Sequence, residues 1–194
     1  VPNISDLPKI ENSFANTEEE YLIYRRDSDT LARKQAIPGQ VGLEHRIGGL
    51  EKSEDGSVSY DPENHEKMTH LRAQKVAGIA KSYGPSEVHG DSEGDLLVVG
   101  WGGTYGAISS AVGLLREEGY AISNIHLRHL NPLPDDLGEI LGRFKKVLVP
   151  ELNLGQLSFL LRARYLVDVI SFGIVQGKPF KVSELQKKFL EYLA

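Results

Sequence analysis

The sequence predicts an α/β fold, a mostly parallel sheet with helices on both faces, and three observations lead there. Residues 95–119, DLLVVGWGGTYGAISSAVGLLREEG, read as buried strand, glycine-rich turn and amphipathic helix in direct succession. Leu96, Leu97, Val98 and Val99 form the unbroken apolar run of a strand covered on both faces, and Gly100, Gly102 and Gly103 allow a turn that bulkier residues could not follow. Beyond this unit, strand-like and helix-like segments alternate to the end of the chain. Finally, 194 residues with 40% hydrophobic content suffice for a real core.

Taken in order, residues 1–60 are polar and loop-like, interrupted by Pro2, Pro8, Pro38, Gly39, Gly42, Gly48, Gly49 and Gly56. Their one strand candidate is EYLIYR at 20–25. Asp61 is placed to cap a helix with Pro62 at its first position and Met68, Leu71, Lys75 and Ile79 along one stripe. Residues 86–94, SEVHGDSEG, read as a polar hinge. In the central unit Ile108, Val112 and Leu115 share a helical face and Gly119 is the stop. Strands follow at 120–127, 146–149 and 167–172, with helices at 135–142 and 154–165. Residues 180–182 are a candidate edge strand, and Ser183 with Gln186 a capping box for a last helix that turns Leu185, Phe189 and Leu193 inward. The layout predicted is a linker and arm with one helix over 1–90 and an α/β domain over 91–194.

Composition narrows the function. A net charge of −5 and a pI near 5.7 argue against nucleic acid or an anionic membrane as partner. No apolar stretch approaches the ~20 residues of a membrane span, so a cytoplasmic location is expected. With no cysteine, the chain offers no thiol nucleophile, cysteine-held zinc or cysteine-held iron–sulfur cluster. It begins Val1-Pro2 with no initiator methionine, as a piece of a longer protein would.

Right-handed crossovers should gather the loops 100–105, 128–134 and 151–156 on one rim, the default binding face. Gly102, Gly103, Thr104, Arg128, Asn131, Glu151 and Asn153 are its candidate binding or interface residues. The turn reads G-x-G-x-x-x-G, with Tyr105 where a dinucleotide fingerprint places a close-packing glycine, so both a plain structural turn and a phosphate cradle stay open. Glu151 falls near a helix start, where the dipole lowers a carboxyl pKa and disfavours a general acid. His126 and Arg128 would share one face of a strand, and His129 could join them only across a bend. No histidine spacing makes a metal site, and no serine sits on a nucleophile elbow. In the first half, IPGQVGLEHRIGG places Glu44, His45 and Arg46 in a glycine-flanked loop able to cover a ligand or to lie in solvent.

IPGQVGLEH at 37–45, YGAISSAVGLLREEGY, HLRHLNPLP at 126–134, VLVPELNLGQLSFLLRARYLVDV at 147–169 and VQGKPFKVSEL at 175–185 together resemble the α subunit of 2-oxoacid:ferredoxin oxidoreductases, 2-oxoglutarate type. After G-L-E-H this chain has Arg46-Ile47-Gly48 where many such subunits carry an acidic pair. The resemblance implies a C-terminal portion of that subunit with a domain similar to the C-terminal domain of transketolase. It also implies, for the whole enzyme, oxidative decarboxylation of a 2-oxoacid to acyl-CoA with thiamine diphosphate, Mg, iron–sulfur clusters and coenzyme A. The expected partners are the upstream domains of the same subunit, a β subunit carrying thiamine diphosphate and iron–sulfur cluster, and ferredoxin. The fragment itself would bind none of these cofactors, carry no catalytic residue and be inactive alone. Two rivals remain at this stage: a nucleotide- or CoA-phosphate-binding domain, and the C-terminal module of another transketolase-group enzyme.

Overall fold

The computed structural model describes residues 2–7 and 12–193; Pro8, one of the breakers named above, lies outside them. The chain divides into two compact units, Val1–Ile79 and Ala80–Ala194.

In the first unit, helix α1 (Pro62–Gly78) follows the expected start: the Asp61 carboxylate accepts a hydrogen bond from the Glu63 N–H and proline opens the first turn. Only Met68 of its stripe is buried, and Ile79 is half exposed. The strand expected at 20–25 does not form. The Arg25 N–H donates to the Leu22 carbonyl and closes a turn inside it, and pairing is limited to an isolated bridge between Arg26 and Arg33. Asp27 then ties its own turn, accepting from the N–H of Asp29 and the N–H and hydroxyl of Thr30.

The first unit holds α1 by a charge clamp. Both carboxylate oxygens of Glu51 accept from the Arg72 guanidinium, at 3.1 and 2.9 Å, and His65 Nδ1 lies 3.2 Å away. Arg72 above all, opposed by burial and helped by the Lys52 N–H and His65, takes the Glu51 carboxyl from 4.5 down to about 2. Because the folded value is depressed, the clamp is at full strength above the ordinary carboxylate range and is lost as pH falls from 4.5 toward 2. Protection of the α1 amides, measured against their intrinsic exchange rates at each pH, should therefore fall over that window, and Glu51→Gln should remove that change.

The described residues of the second unit form a five-stranded sheet of order β1-β3-β2-β4-β5: β1 (Val88–His89), β2 (Gly94–Trp101), β3 (Ile122–Leu127), β4 (Phe144–Glu151) and β5 (Val169–Gly173). All neighbours are parallel except β1, which runs antiparallel to β3 with Val88 opposite Ile125. Residues 86–94, expected as a polar hinge, instead supply a short edge strand within the second unit. Their polar groups are engaged: Ser86 donates through N–H and hydroxyl to Asp136, and Arg116 donates to Asp91.

Helices α2 (Tyr105–Glu117), α3 (Leu137–Gly142), α4 (Gln156–Tyr165) and α5 (Val182–Leu193) complete the unit. The apolar run of β2 is covered on both faces, as the sequence requires. Leu96 and Val98 pack with Ile108, Val112 and Leu115 of α2 and Leu185 and Phe189 of α5, whereas Leu97 and Val99 pack with residues of α3 and α4. Burying each such side chain contributes roughly 1.5–3 kcal/mol. Residues 180–182 do not add a strand. The Lys181 carbonyl instead accepts from the N–H groups of Glu184 and Leu185 and starts α5 a residue ahead of the expected Ser183 cap. Among the described residues no helix is long and apolar enough to cross a membrane.

Candidate functional site

Parallel pairing brings the C-terminal ends of β2, β3 and β4 together, and with them the three predicted loops. Trp101, Leu127 and Glu151 end these strands, and the Trp101 indole N–H reaches the Glu151 carboxylate at 3.3 Å.

Glu151 is fully buried. One carboxylate oxygen accepts from the Leu157 N–H at 2.8 Å and the Asn153 amide at 3.2 Å, the other from the Ser158 N–H at 3.0 Å and hydroxyl at 2.9 Å. Burial alone would raise its pKa, but the donors from Leu157, Ser158 and Asn153 outweigh it and hold the carboxyl below its ordinary range. The side chain therefore serves as an internal cap for α4, supplied from the end of a neighbouring strand. Asn153 Oδ1 accepts from the N–H groups of Gly155 and Gln156 and folds the connecting loop. Gly155 takes φ +91°, a value suited to glycine, and the loop carbonyl of Asn153 lies so close to Gly173 that a Cβ there would stand 2.5 Å from it.

Thr104 is buried; its hydroxyl donates to the Trp101 carbonyl at 2.8 Å and accepts from the Trp101 N–H. It closes the turn that Gly102, at φ +57°, makes possible. A Cβ at Gly102, Gly103 or Gly106 would meet nothing within 4 Å, whereas one at Gly100 would stand 2.8 Å from Ile108 Cδ1. Close packing of strand on helix thus falls on Gly100.

The rest of the rim opens into a cavity of about 650 Å³ beside β3. Arg128, His126 and His129 all line it, because the strand ends at Leu127 and the chain bends at Arg128. His129 stacks on Tyr83 at 4.2 Å and Tyr105 meets His126 edge-on at 5.0 Å. Burial first, then the charges of Arg128 and His89, lower the His126 pKa and favour the neutral imidazole. Arg128 is exposed and forms no ion pair among the described residues. Asn131 is exposed and joined to Pro132 by a cis peptide bond. Tyr83 and His89 were not legible as site residues; His89 arrives on the short strand β1 and Tyr83 on the segment that leads into it.

The loop candidates of the first unit do not converge. Glu44 accepts from the Gly42 N–H, His45 Nδ1 sits 2.8 Å from the Leu43 carbonyl, and Arg46 is exposed. Beside them Lys52 is buried, its ammonium donating to the Leu50 carbonyl. Around the start of α4 the opposite character appears: Leu154, in the loop before it, and Phe159, on it, are 93% and 75% exposed.

No protein-family model matches the chain. It is 47% identical over 187 residues, 95% of its length, to the 2-oxoglutarate oxidoreductase subunit KorA of Mycobacterium tuberculosis, covering 28% of that protein. It is 36% identical over 154 residues, 75% of its length, to the α subunit of 2-oxoacid:ferredoxin oxidoreductase 2 of Aeropyrum pernix, covering 24% of it. Among solved structures, the 2-oxoglutarate:ferredoxin oxidoreductase of Magnetococcus marinus, with 2-oxoglutarate, coenzyme A and succinyl-CoA bound, superimposes on all of the chain with a TM-score of 0.93 and 31% identity. The chain spans 34% of that structure's chain. In sequence over nearly all of its length, and in fold over the whole of it, the chain is similar to a part of the α subunits of 2-oxoacid:ferredoxin oxidoreductases.

Proposed function

We propose that the chain is a non-catalytic module of the α subunit of a thiamine-dependent 2-oxoacid:ferredoxin oxidoreductase, acting on 2-oxoglutarate in the cytoplasm. The complete enzyme would oxidatively decarboxylate the 2-oxoacid to an acyl-CoA and pass electrons to ferredoxin. The 47% identity to a 2-oxoglutarate oxidoreductase subunit over 95% of the chain carries this proposal.

The module's share is assembly and the shaping of one side of the active-site region. The polar residues of the rim support this, since Thr104, Glu151 and Asn153 are spent on holding turns and a helix start. Leu154 and Phe159 offer an apolar surface suited to burial against other parts of the enzyme. Arg128 and the histidines beside it are the groups left to face a ligand or a neighbouring domain. Thiamine diphosphate with its magnesium ion, the iron–sulfur clusters and coenzyme A are assigned to other parts. The chain has no cysteine to ligate a cluster, and the described residues bring no three of His, Asp or Glu together for a metal ion.

Given 2-oxoglutarate, coenzyme A, thiamine diphosphate, magnesium and an electron acceptor, the chain alone should form no acyl-CoA. Together with the remaining parts of the α subunit and a β subunit it should support turnover. Acyl-CoA formation by the chain alone would overturn the non-catalytic role. Failure to associate with the other parts would overturn the role in assembly, and a preference of the complete enzyme for pyruvate would overturn the substrate.

A further inference from the structure

The first unit contains a cavity of about 370 Å³ whose lining is cationic. Arg33, Lys34, Lys75 and His45 line it with Tyr21 and Tyr24, and no aspartate or glutamate does. In a chain with 27 acidic and 22 basic residues that separation runs against the overall balance. It also differs from a neighbouring cavity of the same unit, where Glu19, Glu20 and Asp27 stand among the arginines and lysines.

Two of the cations, Arg33 and Lys75, are not consumed by ion pairs among the described residues, whereas Lys34 pairs with Glu19 at 2.6 Å. Arg33 is instead laid over the Tyr24 ring, 4.7 Å from its centroid. Stacking occupies the face of a guanidinium and leaves its in-plane N–H donors to meet an acceptor. His45, whose Nδ1 lies 2.8 Å from the Leu43 carbonyl, adds a polar edge to the lining. Tyr21 lies against the same imidazole at 5.7 Å.

We propose that this cavity binds a small organic dianion, its charged group, phosphoryl or carboxylate, seated between Arg33 and Lys75. The space, about 370 Å³, is of a size for a small organic ligand. The proposal is independent of the activity assigned to the complete enzyme.

Calorimetric titration of the full chain at constant ionic strength and pH 7.5, with phenyl phosphate in one arm and succinate in the other, tests it. Saturable binding is expected in at least one arm, and the tighter arm identifies the anchoring group. Lys75→Gln should weaken that binding roughly tenfold, while Lys178→Gln, an exposed cation of the other unit, should leave it unchanged. Arg33→Gln should weaken it as well, but its stacking on Tyr24 gives it a part in the local fold, so Lys75→Gln is the deciding variant. Absence of saturation in both arms at about 10 mM ligand, an unchanged affinity in Lys75→Gln, or an equal loss in Lys178→Gln would each overturn the proposal.

Discussion

Glu151→Ala is expected to destabilise the α/β unit by about 3–5 kcal/mol, the cost of removing one side of a buried, hydrogen-bonded charge. The substitution deletes the acceptor for two helix N–H groups, a serine hydroxyl, the Asn153 amide and the Trp101 indole, all within a site that water does not reach. For a unit of this size that is a fall in melting temperature on the order of 10–20 °C, readable in thermal or urea unfolding of the full chain. Glu151→Gln should lie between Glu151→Ala and the native chain, because it keeps one acceptor oxygen but turns an amide NH2 toward donors. The acid limb carries a second signature. Since the folded carboxyl titrates below its ordinary range, its stabilisation is complete above that range and is lost as pH falls through the folded value. The alanine variant should therefore lose less stability between neutral and acidic pH than the native chain, and an unchanged acid slope would contradict the role given to Glu151.

Gly173→Ala is expected to cost about 2–3 kcal/mol, the usual penalty for forcing a methyl group into a filled site. The obstacle is the Asn153 carbonyl oxygen, 2.5 Å from where the new carbon would stand, and backbone cannot rotate away as a side-chain tip can. Relief requires the 151–155 loop to move, which also disturbs the internal cap of α4. The two substitutions act on one element, so the double variant should be destabilised by less than the sum of the single effects. Additive effects would show that the loop and the cap are independent. Amide chemical shifts of Gly155 and Leu157 should move in both single variants.

Much of the sheet was legible because its residues state their surroundings locally. Four consecutive apolar residues at 96–99 announce a strand covered on both faces, and they are divided between the two cores as alternation demands. Leu185 and Phe189 likewise announce the inner face of α5. What was not legible depends on residues far apart in the chain. Glu151 reads as a carboxylate near a helix start, and only the donors assembled around it explain its complete burial. EYLIYR has strand-like composition, yet no long partner strand is offered to it and a local turn wins. Strand β1 is two residues of mixed polarity, too short for any periodic signal. The candidate residues of the rim fall at the C-terminal ends of neighbouring strands, but spacing could not tell Arg128, which lines the cavity, from Glu151, which is fully buried.

The reversed direction of β1 has a topological consequence. An all-parallel sheet would be entered from the edge opposite its functional loops, but Val88 precedes His89 while pairing with Ile125 and Asn124 in descending order. The backbone at 82–87 therefore reaches the sheet at the same end as the mouth beside Arg128, and forms part of its wall. Whatever settles in that mouth touches the doorway of its own unit, so occupancy there would be felt at Gly84 and Pro85 without any message crossing the sheet.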